Sequence, residues 1–389
     1  MDHDQASIFL TELLKLLTSR GGSDLFIAAD FPPAIKLDGR ITPVSGQALT
    51  ASHTTALARA AMNDRQAAEF EREMECNFAI SPVGIGRFRV NAYVQQGRVG
   101  LVLRTIPTTP PTLDGLKLPA MLKEIALQPR GLVIVVGATG CGKSTTLAAM
   151  IDHRNEHLYE HIVTIEDPIE FVHPHKRCIV SQREVGVDTK AWDRALKNAL
   201  RQAPNVILIG EIRDRETMDH AIAYAETGHL CLATLHASNT NQAFDRIVNF
   251  FPEDRKPQLL MDLSLNLEAL VSQRLVPLES GRGRVAAVEI LLNRGYMEDL
   301  ILKGDIPGMR ALVAQMRDEG MQTFDQHLFD LHEAELISSR DALRNADSAN
   351  DLRLRFKLES RRTVNPNLLE GTGDWIVEEA NNVPKALRP

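Results

Sequence analysis

Leu132-Val133-Ile134-Val135-Val136-Gly137-Ala138-Thr139-Gly140-Cys141-Gly142-Lys143-Ser144-Thr145 is the stretch that decides the fold. Its apolar half reads as a buried strand. Gly137 to Ser144 then fits the pattern G-x-x-x-x-G-K-[ST], and Ser144 to His153 reads as a helix with Leu147, Met150 and Ile151 on one face. Strand, glycine-rich turn and helix in that order make a phosphate loop: the glycines let the backbone curl until successive N–H groups point at phosphate oxygens, and the helix N-terminus adds a favourable dipole. Lys143 is expected to reach the outer phosphates and the Ser144 hydroxyl to bind Mg²⁺. The nucleotide-binding candidates are thus Gly137, Ala138, Thr139, Gly140, Cys141, Gly142, Lys143, Ser144 and Thr145. Cys141 is a thiol near a helix N-terminus, which predicts a lowered pKa and oxidation that blocks nucleotide binding; the alternative is a small residue tolerated where the backbone does the binding.

Outward from the loop, three more apolar runs end in polar residues. His161-Ile162-Val163-Thr164-Ile165 leads into Glu166-Asp167, Val206-Ile207-Leu208-Ile209-Gly210 into Glu211, and Leu230-Cys231-Leu232-Ala233-Thr234-Leu235 into His236. Apolar runs alternating with helical patterns predict an α/β domain with a parallel-type sheet, whose ligands sit outside the carboxyl ends of the strands. A carboxylate after a strand is often only a helix cap or a loop charge. As a set downstream of a phosphate loop, the four strand ends are expected to converge on one triphosphate. Phosphoryl transfer then suggests the roles: Glu166 orients the attacking water, Glu211 contacts Mg²⁺ through water or activates water, and His236 donates toward the γ-phosphate. His229 and Asp167 are secondary candidates, with packing or a subunit contact as the other reading of His229.

The first hundred residues read as a small α+β domain. A helix is expected from a Ser7 cap to Gly21-Gly22, strands at 25–27, 34–37, 87–93 and 99–103 with turns at Asp38-Gly39 and Gln96-Gly97, and a helical pattern over 50–73. Arg87, Arg89 and Arg104 lie on its strands; Arg87 and Arg89 share a face by period two, and an arginine supplied across a gap can stabilise transferring phosphate. Pro107-Thr108-Thr109-Pro110-Pro111-Thr112 favours an extended connection. The expected division is 1–106, a linker at 107–115, the α/β domain at 116–356 and a loosely ordered tail at 357–389, where Trp375, Ile376 and Val377 could dock.

Composition narrows the function classes. The chain has 389 residues, 44% hydrophobic and 24% charged, which suits a multidomain globular protein and excludes a mostly disordered one. Net charge is 44 − 51 = −7, which argues against nucleic acid as partner and weakens a DNA-translocase reading. The four cysteines have no C-x-x-C spacing, so a zinc ribbon is ruled out and a disulfide scaffold disfavoured. No apolar run is long enough to span a bilayer and the acidic N-terminus is unlike a secretory signal, so a cytoplasmic location is expected.

Together these motifs resemble the PilT/PilU family of type IV pilus retraction ATPases, within the secretion ATPases. The phosphate loop, Thr164-Ile165-Glu166-Asp167-Pro168-Ile169-Glu170 (like the family's Asp box), Ile207-Leu208-Ile209-Gly210-Glu211-Ile212-Arg213-Asp214 (like its Walker B) and Thr227-Gly228-His229-Leu230 to His236 (like its His box) occur in the family's order. The resemblance covers roughly residues 7 to 358. It implies a PAS-like N-terminal domain, a RecA-like motor domain, a homohexameric ring, ATP and Mg²⁺ as cofactors, and Arg89 and Arg104 as the arginines that approach the nucleotide. Phe26, Ala138, Cys76-Asn77-Phe78-Ala79-Ile80 and the 346–354 segment resemble the PilU branch, and Tyr296 to Lys303 is a degraded form of the PilT retraction motif. The implied role is an accessory motor in pilus retraction and twitching motility, with a PilT-like ATPase and a PilC-like inner-membrane platform protein as partners, at the cytoplasmic face of the inner membrane. Alternatives are a regulatory or scaffolding subunit that binds ATP with little hydrolysis, and a zinc-free secretion-assembly ATPase.

Overall fold

Apolar alternation in the first hundred residues produces six antiparallel strands: β1 (Asp24–Ile27), β2 (Ala34–Leu37), β3 (Arg40–Pro43), β4 (Glu75–Ile80), β5 (Arg87–Gln95) and β6 (Arg98–Ile106). Seven more follow: β7 (Gly131–Val136), β8 (His161–Glu166), β9 (Ile179–Glu184), β10 (Val206–Ile209), β11 (Leu230–Leu235), β12 (Leu267–Pro277) and β13 (Arg284–Leu292). The computed structural model describes residues 1–37, 39–362 and 364. Asp38 of the expected turn, Thr363 and residues 365–389, including Trp375 to Val377, lie outside them. Residues 357–359 of the expected tail close the helix Ala349–Glu359. The chain divides into two compact units, Met1–Pro111 with Ile151–Gly210, and Thr112–Met150 with the chain from Glu211 on.

In the first unit the antiparallel strands are ordered β3-β2-β1-β6-β5-β4. Leu25, Ile27, Phe88, Val90, Ala92, Leu101 and Leu103 share one buried core with Leu10, Leu14 and Leu17 of the helix His3–Ser19 and Leu57 of the helix Ala51–Ala61. The opposite face carries the alternate residues, Arg87 and Arg89 among them. The first helix begins before Ser7, because Asp2 accepts from the Gln5 backbone N–H and the Gln5 side chain caps Asp2 in return. The helical pattern expected over 50–73 is interrupted. Met62 is extended, and Asn63 caps a separate helix, Asp64–Glu73, by accepting from Gln66. The same unit holds β8, paired in parallel with β10 on one side and β9 on the other.

In the second unit β7 lies between β11 and β12, parallel to both, and β13 runs antiparallel along β12. β7 and β11 are buried almost throughout, as expected of strands covered on both faces. Helices Phe324–Glu333, Ser339–Asn345 and Ala349–Glu359 build a further core with Val276, Val285 and Ala287.

In the first unit Arg154 is 2% exposed and its Nε and Nη2 donate to the Glu160 carboxylate at 2.7 and 3.0 Å. Removing one partner of such a pair leaves a desolvated charge. Arg154→Met is therefore expected to destabilise the protein by about 3 kcal/mol, read as a lowered midpoint in urea denaturation.

Candidate active site

Strand register builds the site in the second unit. Val136, the last residue of β7, pairs with Leu235 at the end of β11 and with Ser272 on β12. The residues that follow, Gly137, His236 and Gln273, therefore emerge side by side at one edge. The Ile212 N–H donates to the Thr234 carbonyl at 2.8 Å, which brings Glu211 to the same edge.

Gly137 has φ +153, and a Cβ built on it would lie 2.4 Å from the Cys141 Sγ and 2.7 Å from the Gln273 carbonyl oxygen. Gly142 has φ +92, and its Cβ would lie 2.8 Å from the Gln273 Nε2. Only glycine fits either place. Gln273 is buried and fully engaged: its Nε2 donates to the Cys141 carbonyl and its Oε1 accepts from Thr146 Oγ1, both at 2.7 Å. The Lys143 ammonium is drawn across the loop, donating to the carbonyls of Gly137 at 2.8 Å and Ala138 at 3.2 Å. The expected lowering of the Cys141 pKa is reversed. Burial pushes the thiol up and outweighs the pull of Lys143 and the backbone donors.

His236 Nε2 lies 3.1 Å from Glu211 Oε1, and Arg213 Nε donates to Glu211 Oε2 at 2.8 Å. Burial pushes the His236 pKa down, Lys143 adds to this, and Glu211 opposes it. A neutral imidazole therefore donates its Nε2 proton to Glu211 at neutral pH. Gly137, Ala138, His236, Ala237, Ser238, Gln242 and Arg246 line a cavity of about 340 Å³.

The first unit holds the other candidates. Glu166 ends β8, and its Oε1 accepts from Thr164 Oγ1 at 2.6 Å and from Gln182 Nε2 at 3.2 Å. Burial raises its pKa to about 7 against these hydrogen bonds and one from the Glu170 backbone. Gly210 admits this packing, since a Cβ there would lie 3.2 Å from the Glu166 Cα. Arg89 and Arg104 are directly opposite one another on β5 and β6, and Arg104 Nε donates to Asp24 at 2.8 Å. Arg87 Nη2 is 3.8 Å from Glu184. Asp167 follows Glu166, and the peptide bond from Asp167 to Pro168 is cis.

A family model described as type II/IV secretion system protein matches residues 51–324. The chain belongs to that family. It is 57% identical to the type IV pilus ATPase PilU of Pseudomonas aeruginosa over 90% of this chain and 91% of that one. With the type IV pilus retraction ATPase PilT of the same organism it shares 42% identity over 87% of this chain and 98% of that one. The crystal structure of the pilus retraction motor PilT with bound ADP superposes with a TM-score of 0.81 at 38% identity, over 87% of this chain and 97% of that one. The α/β class with a parallel-type sheet and the preceding small α+β domain expected from the sequence agree with these relatives. The chain is a close homologue of PilU and PilT and a member of the secretion and pilus ATPases.

Within this secretion-family chain, Gly137 to Ser144, Glu211 and His236 share one edge of the second unit. His229 does not join them. It precedes β11 at the strand's amino end, where its carbonyl accepts from Gly131 and its Nδ1 meets Thr227 Oγ1 at 3.0 Å. Three residues went unread in the sequence: Gln273, which seats the loop; Gln182, which holds Glu166 while also binding the Phe171 carbonyl and the His173 backbone N–H; and Arg246. For Arg246 a signal was present, since it lies ten residues beyond His236 on the helix Thr240–Asn249.

Gly137→Ala is expected to displace Cys141 and the Gln273 backbone and to reduce nucleotide affinity by about tenfold or more, with the fold retained. Titration with a fluorescent ATP analogue and circular dichroism check the two halves.

Proposed function

We propose that this chain is the ATP-hydrolysing, PilU-like subunit of a type IV pilus machine, working in a homohexameric ring and supporting retraction and twitching motility beside a PilT-like ATPase. One observation carries the reading: within one compact unit, a phosphate loop seated by Gln273 shares its edge with the Glu211–His236 pair. The residues fit a magnesium nucleotide. Gly137 and Gly142 leave the backbone open to close approach, Lys143 is held over the loop, and the Ser144 hydroxyl and Glu211 carboxylate are the hard oxygen donors that Mg²⁺ prefers. Bound there, Mg²⁺ supplies charge neutralisation to the phosphates.

The protein's own groups divide the remaining work. The loop and Lys143 bind and orient the phosphates. Neutral His236 and the Glu211 carboxylate form a hydrogen-bonded pair that responds to the terminal phosphoryl group, since a phosphate oxygen competes with Glu211 for the imidazole proton. Glu166, with a pKa near neutrality, suits a base that receives a proton from attacking water. Arg89 and Arg104 offer positive charge from the antiparallel sheet. No helix among the described residues is long and apolar enough to cross a membrane. By likeness to the pilus ATPases, the proposed site of work is the cytoplasmic face of the inner membrane, against a PilC-like platform protein.

A second reading, a scaffolding subunit dependent on a partner motor, is favoured by the helix Tyr296–Lys303, whose sequence departs from the retraction motif and which leaves Tyr296 exposed. ATPase assays alone and with a PilT-like partner separate the two.

Lys143→Ala is expected to abolish turnover, and Glu211→Ala to slow it about 10²-fold while nucleotide binding persists. Wild-type turnover in both variants would overturn the site. Because burial raises the Glu166 pKa to about 7, the carboxylate form is lost below that pH. Turnover is expected to rise with pH through about 7, and Glu166→Gln to leave a low rate that is flat over the same range, measured by phosphate release in buffers of constant ionic strength.

A further inference from the structure

We propose that Arg246 binds the outermost phosphate of ATP from within the same unit as the phosphate loop. The inference deepens the reading of the cavity as an ATP site and rests on it. Arg246 lines the cavity with Gly137, Ala138 and His236, at the end of the loop where the Lys143 ammonium is held over the first two carbonyls. In phosphate loops that lysine serves the β- and γ-phosphates, so this is the end where ATP and ADP differ.

Gln242 and Arg246 are four residues apart on the helix Thr240–Asn249 and both reach the cavity. Arg246 Nη1 donates to the His236 carbonyl at 2.8 Å, and the guanidinium carbon lies 5.8 Å from the centre of the Phe250 ring. These contacts orient the group without neutralising it. No carboxylate pairs with Arg246 among the described residues. The other cations of the neighbourhood differ: Arg213 is bound to Glu211 at 2.8 Å, and Arg274 to Asp347 at 2.6 Å. A guanidinium with one edge on a carbonyl keeps its full charge and further N–H donors, the form that binds phosphate oxygens through parallel hydrogen bonds.

The test is titration of purified full-length wild type, Arg246→Lys and Arg246→Gln with a non-hydrolysable ATP analogue and with ADP, by calorimetry. Arg246 is exposed, so matched thermal melts are expected. Arg246→Gln is expected to weaken the ATP analogue about tenfold while changing ADP less than about twofold, with Arg246→Lys between wild type and Gln. Equal losses for both nucleotides would mean that Arg246 only braces the His236 turn, and no loss would mean that it does neither; each overturns the proposal. Lys143→Ala is run beside them. If it binds both nucleotides like wild type, or if wild type binds neither, the ATP-site reading itself fails, whatever the Arg246 variants do.

Discussion

The position of Val136 between Leu235 and Ser272 is the constraint on which the edge carrying the phosphate loop depends. Parallel pairing on both sides fixes the level at which three chain segments leave the sheet. A slip of one residue in either pairing would turn His236 or Gln273 to the other face of its strand. Gln273 converts that register into loop shape. Its amide would be costly to bury unpaired, and it is paired with the Cys141 carbonyl and the Thr146 hydroxyl, one on each side of Lys143. The glycines at 137 and 142 are then required by proximity as much as by backbone freedom, since the strand carrying Gln273 occupies the space a side chain would need.

Burial leaves candidate groups in each unit less charged at neutral pH than their residue types suggest. Glu166 is raised to about 7, and His236 is shifted toward its neutral form. Glu289 is also raised to about 7 by burial, but its carboxylate accepts from the Thr240 N–H at 2.8 Å, at the start of the helix that presents Gln242 and Arg246. A carboxylate at a helix N-terminus is favoured by the dipole, which helps offset desolvation. Glu289 is thus best understood as a holder of that helix, while Glu166 is part-exposed at a strand end and caps no helix.

The elements legible in the sequence were those whose signal is local. The phosphate loop, the flanking strand and helix and the acidic strand ends follow from period, glycine placement and motif. The first helix starts ahead of the apolar run after Ser7 because the polar Asp2–Gln5 pair, not that run, caps it. The helix break at Met62 came from missing Asn63 as a cap inside a continuous apolar pattern. Gln273 and Gln182 were beyond such reading for a different reason. Gln273 acts on Cys141 and Thr146 more than a hundred residues earlier, through pairing that exists only once β12 lies beside β7. Cys141 shows the same limit: helix position argues for a reactive thiol, and packing against Gly137 with desolvation reverses the argument.

The antiparallel sheet makes an electrostatic argument of its own. Its register sets Lys36, Asp24, Arg104 and Arg89 in a row across β2, β1, β6 and β5. Burial pushes the Asp24 carboxyl up, but hydrogen bonds from Arg104 and Ser23 more than offset this and hold it below the usual carboxylate range. Asp24 therefore serves Arg104 and Lys36, while Arg89, with no ion pair within 4 Å among the described residues, acts on the Glu184 carboxylate. Like charges on directly opposed residues are unfavourable in a sheet. The Asp24 carboxylate beside Arg104 offsets part of that repulsion. Arg87 lies 3.8 Å from Glu184, the carboxylate that also draws on Arg89. Of the three arginines, Arg104 is thus the most tightly neutralised, at 2.8 Å from a buried carboxylate, while Arg87 and Arg89 share the influence of Glu184.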